Sequence, residues 1–181
     1  MRAFLIAAFL LTAHGALAQN RPARPANPPP GPAVTRHGDW VEARVAERGR
    51  VACVAGTEAP RRGLLQVTVG RGAAGNAAIL LILRIEGANI VTNRPVRFTT
   101  DGRTFELPGQ AGPMGGPGMV VGATDEEGAR TLSDLLVAMR RGRDLRVEAG
   151  DRASMILSLT GASDALGAMR SCAQAAGMMA R

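Results

Sequence analysis

The stretch Pro95–Leu107, PVRFTTDGRTFEL, carries the clearest structural signal in the chain. Val96 and Phe98 alternate with polar residues before its centre, and Phe105 and Leu107 do so after it. A period of two gives each half one apolar face, as a half-buried strand requires. Between the halves stands Asp101-Gly102, a dipeptide that accepts the positive φ values of a two-residue hairpin turn. The segment predicts two antiparallel strands with one face in a core.

The same period continues on both sides. Upstream, GLLQVTVG (Gly63–Gly70) alternates Leu65, Val67 and Val69, and DWVEARV and RVACVAG (Asp39–Val45, Arg50–Gly56) read as two further strands. AAILLILRI (Ala77–Ile85) is a continuous apolar run, too short for a membrane span. It suits a strand buried on both faces or the centre of a sandwich. Downstream, GMVVGA (Gly118–Ala123) is another strand, after which the period changes. Thr131 reads as an N-cap with Asp134 three residues on, and Leu132, Leu135, Leu136 and Met139 follow at helical spacing. Arg140 and Arg141 close the last turn and Gly142 stops it, predicting a helix over about 131–141. Leu145, Val147 and SMILSLTG (Ser154–Gly161) give two more strands around Gly150-Asp151. Ser163 then caps a final helix over about 163–176, with Leu166, Met169 and Cys172 or Ala173 on one face and Gly177 as its stop. Seven or eight short strands and two short helices predict a mainly β fold, an antiparallel β-sandwich.

The ends of the chain say where it goes. Residues 1–18 have the form of a signal peptide: Arg2, the apolar AFLIAAFLL, and the small residues Ala16–Ala18 at the cleavage point. No cysteine follows the apolar run, which argues against a lipoprotein anchor, and no later segment is a membrane span. Cleavage after Ala18 gives a periplasmic or secreted protein starting at Gln19. Residues 19–36 form a linker in which RPARPANPPPGP puts six prolines into twelve residues, a polyproline II composition. The folded domain is expected over 37–177.

The chain has 22 basic residues, all arginine, against 15 acids, for a formal charge of +7. That balance allows weak attraction to anionic surfaces. The arginines are scattered without aromatic neighbours, so the pattern is not that of a dedicated nucleic-acid surface. Export changes how the cysteines read. Two cysteines, Cys53 and Cys172, in an oxidising compartment favour one disulfide, the alternative being two buried thiols.

Catalytic chemistry finds little support. The only histidine after the signal segment is His37, which reads as an exposed residue at the end of the linker. Without a second histidine there is no zinc pattern, and no Ser-His-Asp or Cys-His spacing stands out. Asp125-Glu126-Glu127 lacks the alternating ligands of a calcium loop and reads as a solvated turn before the helix. GRGAAG (Gly70–Gly75) and GPMGGPG (Gly112–Gly118) lack the Lys-Ser/Thr ending of a phosphate loop. No catalytic residue, metal ligand or cofactor site is expected. Trp40, the single tryptophan, is expected as a structural anchor at the end of the sheet.

Several segments in order resemble one family. HGDW (His37–Trp40), the Cys53 strand, LLQVTV, TTDGRTFELP, LSDLLVAMRRGRDLRVEA and LSLTGASDAL together are similar to the invasion-associated locus B family of exported bacterial proteins. The resemblance spans about residues 37–172. It implies an immunoglobulin-like β-sandwich in the periplasm or at the outer surface of a Gram-negative bacterium, and it supplies no catalytic residues. Many members carry a cysteine shortly after Gly-Asp-Trp and a close pair before the LSDLL helix. Here those places hold Val41–Arg44 and PGQAGPMGGPG, without cysteine. Cys53 then has Cys172 as its only candidate partner. The functional expectation is a non-enzymatic cell-envelope protein, a binding or interaction module for an envelope or host-surface partner. A small-ligand or lipid binder is the alternative. An enzyme resting on His37 or the 125–127 acids is the third reading.

Overall fold

A computed structural model describes residues 33–47, 50–60, 62–71, 75–86, 95–111, 118–150 and 153–180. The expected signal segment and most of the linker lie outside these residues. Ten strands and two helices follow in the order β1 (Val34–His37), β2 (Trp40–Glu47), β3 (Arg50–Ala59), β4 (Gly63–Arg71), β5 (Ala77–Ile85), β6 (Pro95–Thr100), β7 (Arg103–Ala111), β8 (Gly118–Gly122), α1 (Glu126–Met139), β9 (Asp144–Ala149), β10 (Ala153–Ser158) and α2 (Ala162–Ala175). The fold is mainly β, and every strand pairing is antiparallel.

The strands form one continuous ten-stranded sheet in the order β1-β2-β3-β4-β5-β8-β7-β6-β9-β10. Its first five strands are a meander, and β5 to β8 make a Greek-key step, since β8 returns to lie beside β5. The two halves of the sheet join along β7. Residues Arg103–Pro108 pair with β6, whereas Gly109–Ala111 pair with β8. Pro108 cannot donate to a ladder, and at Gly109 a Cβ would stand 2.5 Å from the Met119 sulfur and 3.0 Å from Val96 Cγ2. The switch of partner from β6 to β8 therefore needs the missing side chain at Gly109. Beyond it β9 and β10 fold back, and β10 packs over β3 and β5.

The predicted hairpin forms in the expected register. Val96 faces Leu107 and Phe98 faces Phe105, all four buried. Asp101 and Gly102 both have positive φ, 46° and 75°, as a type I′ turn requires. Along the meander Trp40, Thr57, Leu65, Leu83 and Met119 form one cross-strand row pointing inward, each 5% exposed or less. The sheet faces and both helices close on a single core. The apolar β5 run is buried on one face only. Leu81, Leu83 and Ile85 point inward, while Leu80 is 38% exposed and Ile82 is half-buried, because they lie on the outer face of the folded sheet.

Three boundaries differ from the sequence reading. Val34–Arg36, expected in the linker, pair with Val41–Ala43 as strand β1. Gly38 (φ +58°) and Asp39 are the two loop residues of this hairpin. The first helix starts at Glu126 rather than near 131, because Asp125 is the N-cap: its carboxylate accepts from Gly128 N at 2.7 Å, and Glu126 and Glu127 fill the first turn. The second runs Ala162–Ala175 from Gly161 (φ 89°), so Ser163 sits inside it. Beyond Ala175 it is closed by Gly177 (φ +66°), with Gly177 N donating to Gln174 O and Met178 N to Ala173 O, a Schellman pattern.

Candidate functional site

Cys53 and Cys172 are bonded, with their Cα atoms 5.9 Å apart. Cys53 is fully buried on the inner face of β3, and Cys172 lies on the face of α2 turned to it. Alternation along the strand and the 3.6-residue period of the helix bring the two sulfurs together. The bond fastens α2 across β2 and β3, which the helix also touches. Both cysteines of the chain are thus consumed, leaving no thiol for nucleophilic or metal chemistry.

Trp40 opens β2 and is fully buried. Its indole nitrogen donates to Ser158 O at 2.9 Å, joining the start of the sheet to the end of β10. Nearby, Asp39 N donates to Thr160 O at 3.0 Å and the Thr57 hydroxyl donates to Asp39 O at 2.8 Å. Gly38 and Gly161 are pressed into this junction: a Cβ on Gly38 would meet Thr160 O, and one on Gly161 would meet His37 O. The only tryptophan thus closes one end of the folded sheet.

His37 is not an exposed linker residue. It ends β1 opposite Trp40, is half-buried, and its Nε2 is buried without a hydrogen-bond partner. Among the described residues no hydroxyl or carboxylate bonds to that nitrogen. Asp125, Glu126 and Glu127 are absorbed by the helix start, where Glu126 also pairs with Arg130 at 2.8 Å. Among the described residues no cluster of three or more His, Cys, Asp or Glu could hold a metal ion. No helix among them is long and apolar enough to cross a membrane.

Two grooves remain. The larger, 850 Å³, lies where β10 passes the start of β2 and the end of β3. Arg36 and Arg62 line it together with Asp39 and Glu58, so its charges are mixed and it has no single polarity. The second, 560 Å³, opens between α1, α2 and the start of β5. Leu132 and Leu136 descend from α1 and Leu166 and Met169 from α2, and the floor reaches Val69 in the core. Leu80 and Val137, two of the exposed large apolar side chains, stand in its walls. Among the described residues, the charged ones lining it are Arg140 and Arg170.

Sequence reasoning found the helical Met and Leu faces but not this groove. It is assembled from four segments distant in sequence, and only the two arginines beside those faces hint at it.

No protein-family model matches the chain, and no curated protein matches it by sequence. A solved structure does. Over 79% of this chain and 98% of the other, at 18% identity and a TM-score of 0.50, the protein shares its fold with invasion associated protein B from Bartonella henselae.

Proposed function

We propose that this protein is an exported, non-enzymatic member of the invasion-associated locus B type, acting in the periplasm or at the cell surface as a binding module. The observation that carries the reading is the disulfide between the only two cysteines, on a fold shared with invasion associated protein B. A bond of this kind persists in oxidising compartments and is rare in the cytosol of mesophiles. The signal-like residues 1–18 point the same way. The switch of pairing partner along β7 and the contact of β10 with β3 and β5 support a two-layer, immunoglobulin-like sandwich as the finer description of the sheet. The partner is an envelope or host-surface molecule, with arginine supplying weak attraction to anionic surfaces and no sequence-specific contact to nucleic acid.

The test is fractionation of the expressing cell with intact mass measurement of the recovered chain. The expected result is a periplasmic or secreted chain beginning at Gln19, heavier by two hydrogens after reduction. A cytosolic chain with free thiols overturns the proposal.

The second reading, a small-ligand or lipid binder, is favoured by one observation. The groove between the helices reaches the core and leaves Leu80 and Val137 exposed in its walls. Its volume falls within the roughly 300–1,000 Å³ typical of small-molecule sites. Native mass spectrometry of protein purified from its own compartment should then show a bound species.

A further inference from the structure

The geometry points to a fatty carboxylate, a single alkyl chain with one anionic head, as the occupant of the groove between α1, α2 and β5. This rests on the small-ligand reading above and gives it a chemical class. Three features carry it.

The first is the shape of the apolar lining. Leu136 and Val137 on α1 and Leu80 on β5 stand toward the mouth, and Leu132, Leu166 and Met169 lie deeper, each 5% exposed or less. Apolar surface thus continues from the opening into the core, as an inserted alkyl chain needs and a polar ligand does not.

The second is the sign of the charge. Arg140 and Arg170 are exposed members of the lining, and among the described residues no carboxylate side chain lines the groove. Four other described arginines are ion-paired: Arg84 with Glu86, Arg97 with Glu106 and Glu148, Arg130 with Glu126, and Arg146 with Glu148. Neither Arg140 nor Arg170 has an ion-pair partner among the described residues. Guanidinium groups hold carboxylates through paired N–H donors. The larger groove, with both signs of charge, offers no such selectivity.

The third is anchorage. The α2 wall is fixed by the Cys53–Cys172 bond, and the end of that helix is tied by Arg71 Nη2 donating to Gly177 O at 3.2 Å. Against an anchored α2 wall, binding costs less ordering entropy.

The experiment uses the oxidised full domain and titration calorimetry below the micellar range of each probe. The probes are dodecanoate, dodecyltrimethylammonium, dodecyl maltoside and acetate. Dodecanoate should bind one to one, with acetate silent and the cationic probe at least about tenfold weaker. Arg140→Gln with Arg170→Gln should weaken dodecanoate by about tenfold or more, in line with loss of charge-assisted hydrogen bonds. Val137→Glu should weaken it as strongly, whereas Arg146→Gln, outside the groove, should leave it unchanged; circular dichroism checks that each variant is folded. Equal affinity for the anionic and cationic probes, or no effect of the double arginine change, overturns the proposal. Dodecyl maltoside binding that Val137→Glu abolishes would in that case keep the apolar site and the small-ligand reading. Binding of no dodecyl probe overturns both.

Discussion

The indole Nε1 of Trp40 donates to the carbonyl oxygen of Ser158 at 2.9 Å, across 118 residues of sequence. One hydrogen bond thus ties the first long strand to the last. Trp40→Phe keeps most of the ring and removes the donor, leaving the Ser158 carbonyl unpaired, at a cost of about 1–3 kcal/mol. Trp40→Ala also opens a large cavity and should cost about 3–5 kcal/mol. Urea unfolding followed by circular dichroism measures both. A Trp40→Phe protein as stable as the parent would remove the bond from the account.

The Cys53–Cys172 bond closes a loop with a sequence separation of 119. Loss of a native disulfide typically costs about 2–5 kcal/mol, and the chain-entropy account places a loop this long near the upper end. The Cys53→Ser, Cys172→Ser double variant should show a matching fall in unfolding midpoint. Because Cys53 is fully buried, mild reductant should act slowly on the folded protein and quickly in denaturant. Alkylation of free thiols followed by mass spectrometry distinguishes the two rates.

Where β7 passes from pairing with β6 to pairing with β8, Gly109→Ala puts a methyl group 2.5 Å from the Met119 sulfur and 3.0 Å from Val96 Cγ2. Overpacking of this kind costs about 1–3 kcal/mol, with the flexible Met119 setting where in that range it falls. Gly102→Ala serves as comparison. It has φ +75° but nothing within 4 Å of an added Cβ, so its cost should be only the roughly 1–2 kcal/mol of left-handed backbone. Combining Gly109→Ala with Met119→Ala should recover part of the overpacking loss, as a double-mutant cycle in thermal unfolding would reveal.

Helix α1 offers a test between two start sites. Asp125→Ala removes the side-chain bond to Gly128 N and should cost about 0.5–2 kcal/mol. Thr131→Ala, inside the helix, should be neutral or slightly stabilising, because alanine is the better helix former. The opposite ranking in chemical denaturation would restore the start near 131.

Local chemistry explains what could be read from the sequence. The β6–β7 turn was legible because Asp101-Gly102 carries its own backbone preference, independent of the rest of the chain. The end of α2 was legible for the same reason, since Gly177 takes the left-handed conformation that a helix stop favours. The start of α1 was obscured by Gly128, a poor helix former that made Asp125–Glu127 look like a free turn. Strand β1 was hidden beside prolines, and its place depends on pairing with β2. The continuity of the sheet through β7 and the groove between the helices were out of reach. Both depend on segments that meet only after folding, and alternation along one strand cannot say which strand lies beside it. The cysteine pairing was legible mainly because the chain holds only two.

The disulfide also changes what a protease can do to this protein. Strands β4 to β10 and helix α1 all lie on the covalent ring between Cys53 and Cys172. A single cut anywhere in that ring leaves two fragments still joined through sulfur and held by the same sheet. Release of a piece from the ring requires a second cut or a reductant. In a compartment rich in proteases and poor in thiols, the domain would therefore survive its first nick as one molecule, visible as two bands only on a reducing gel.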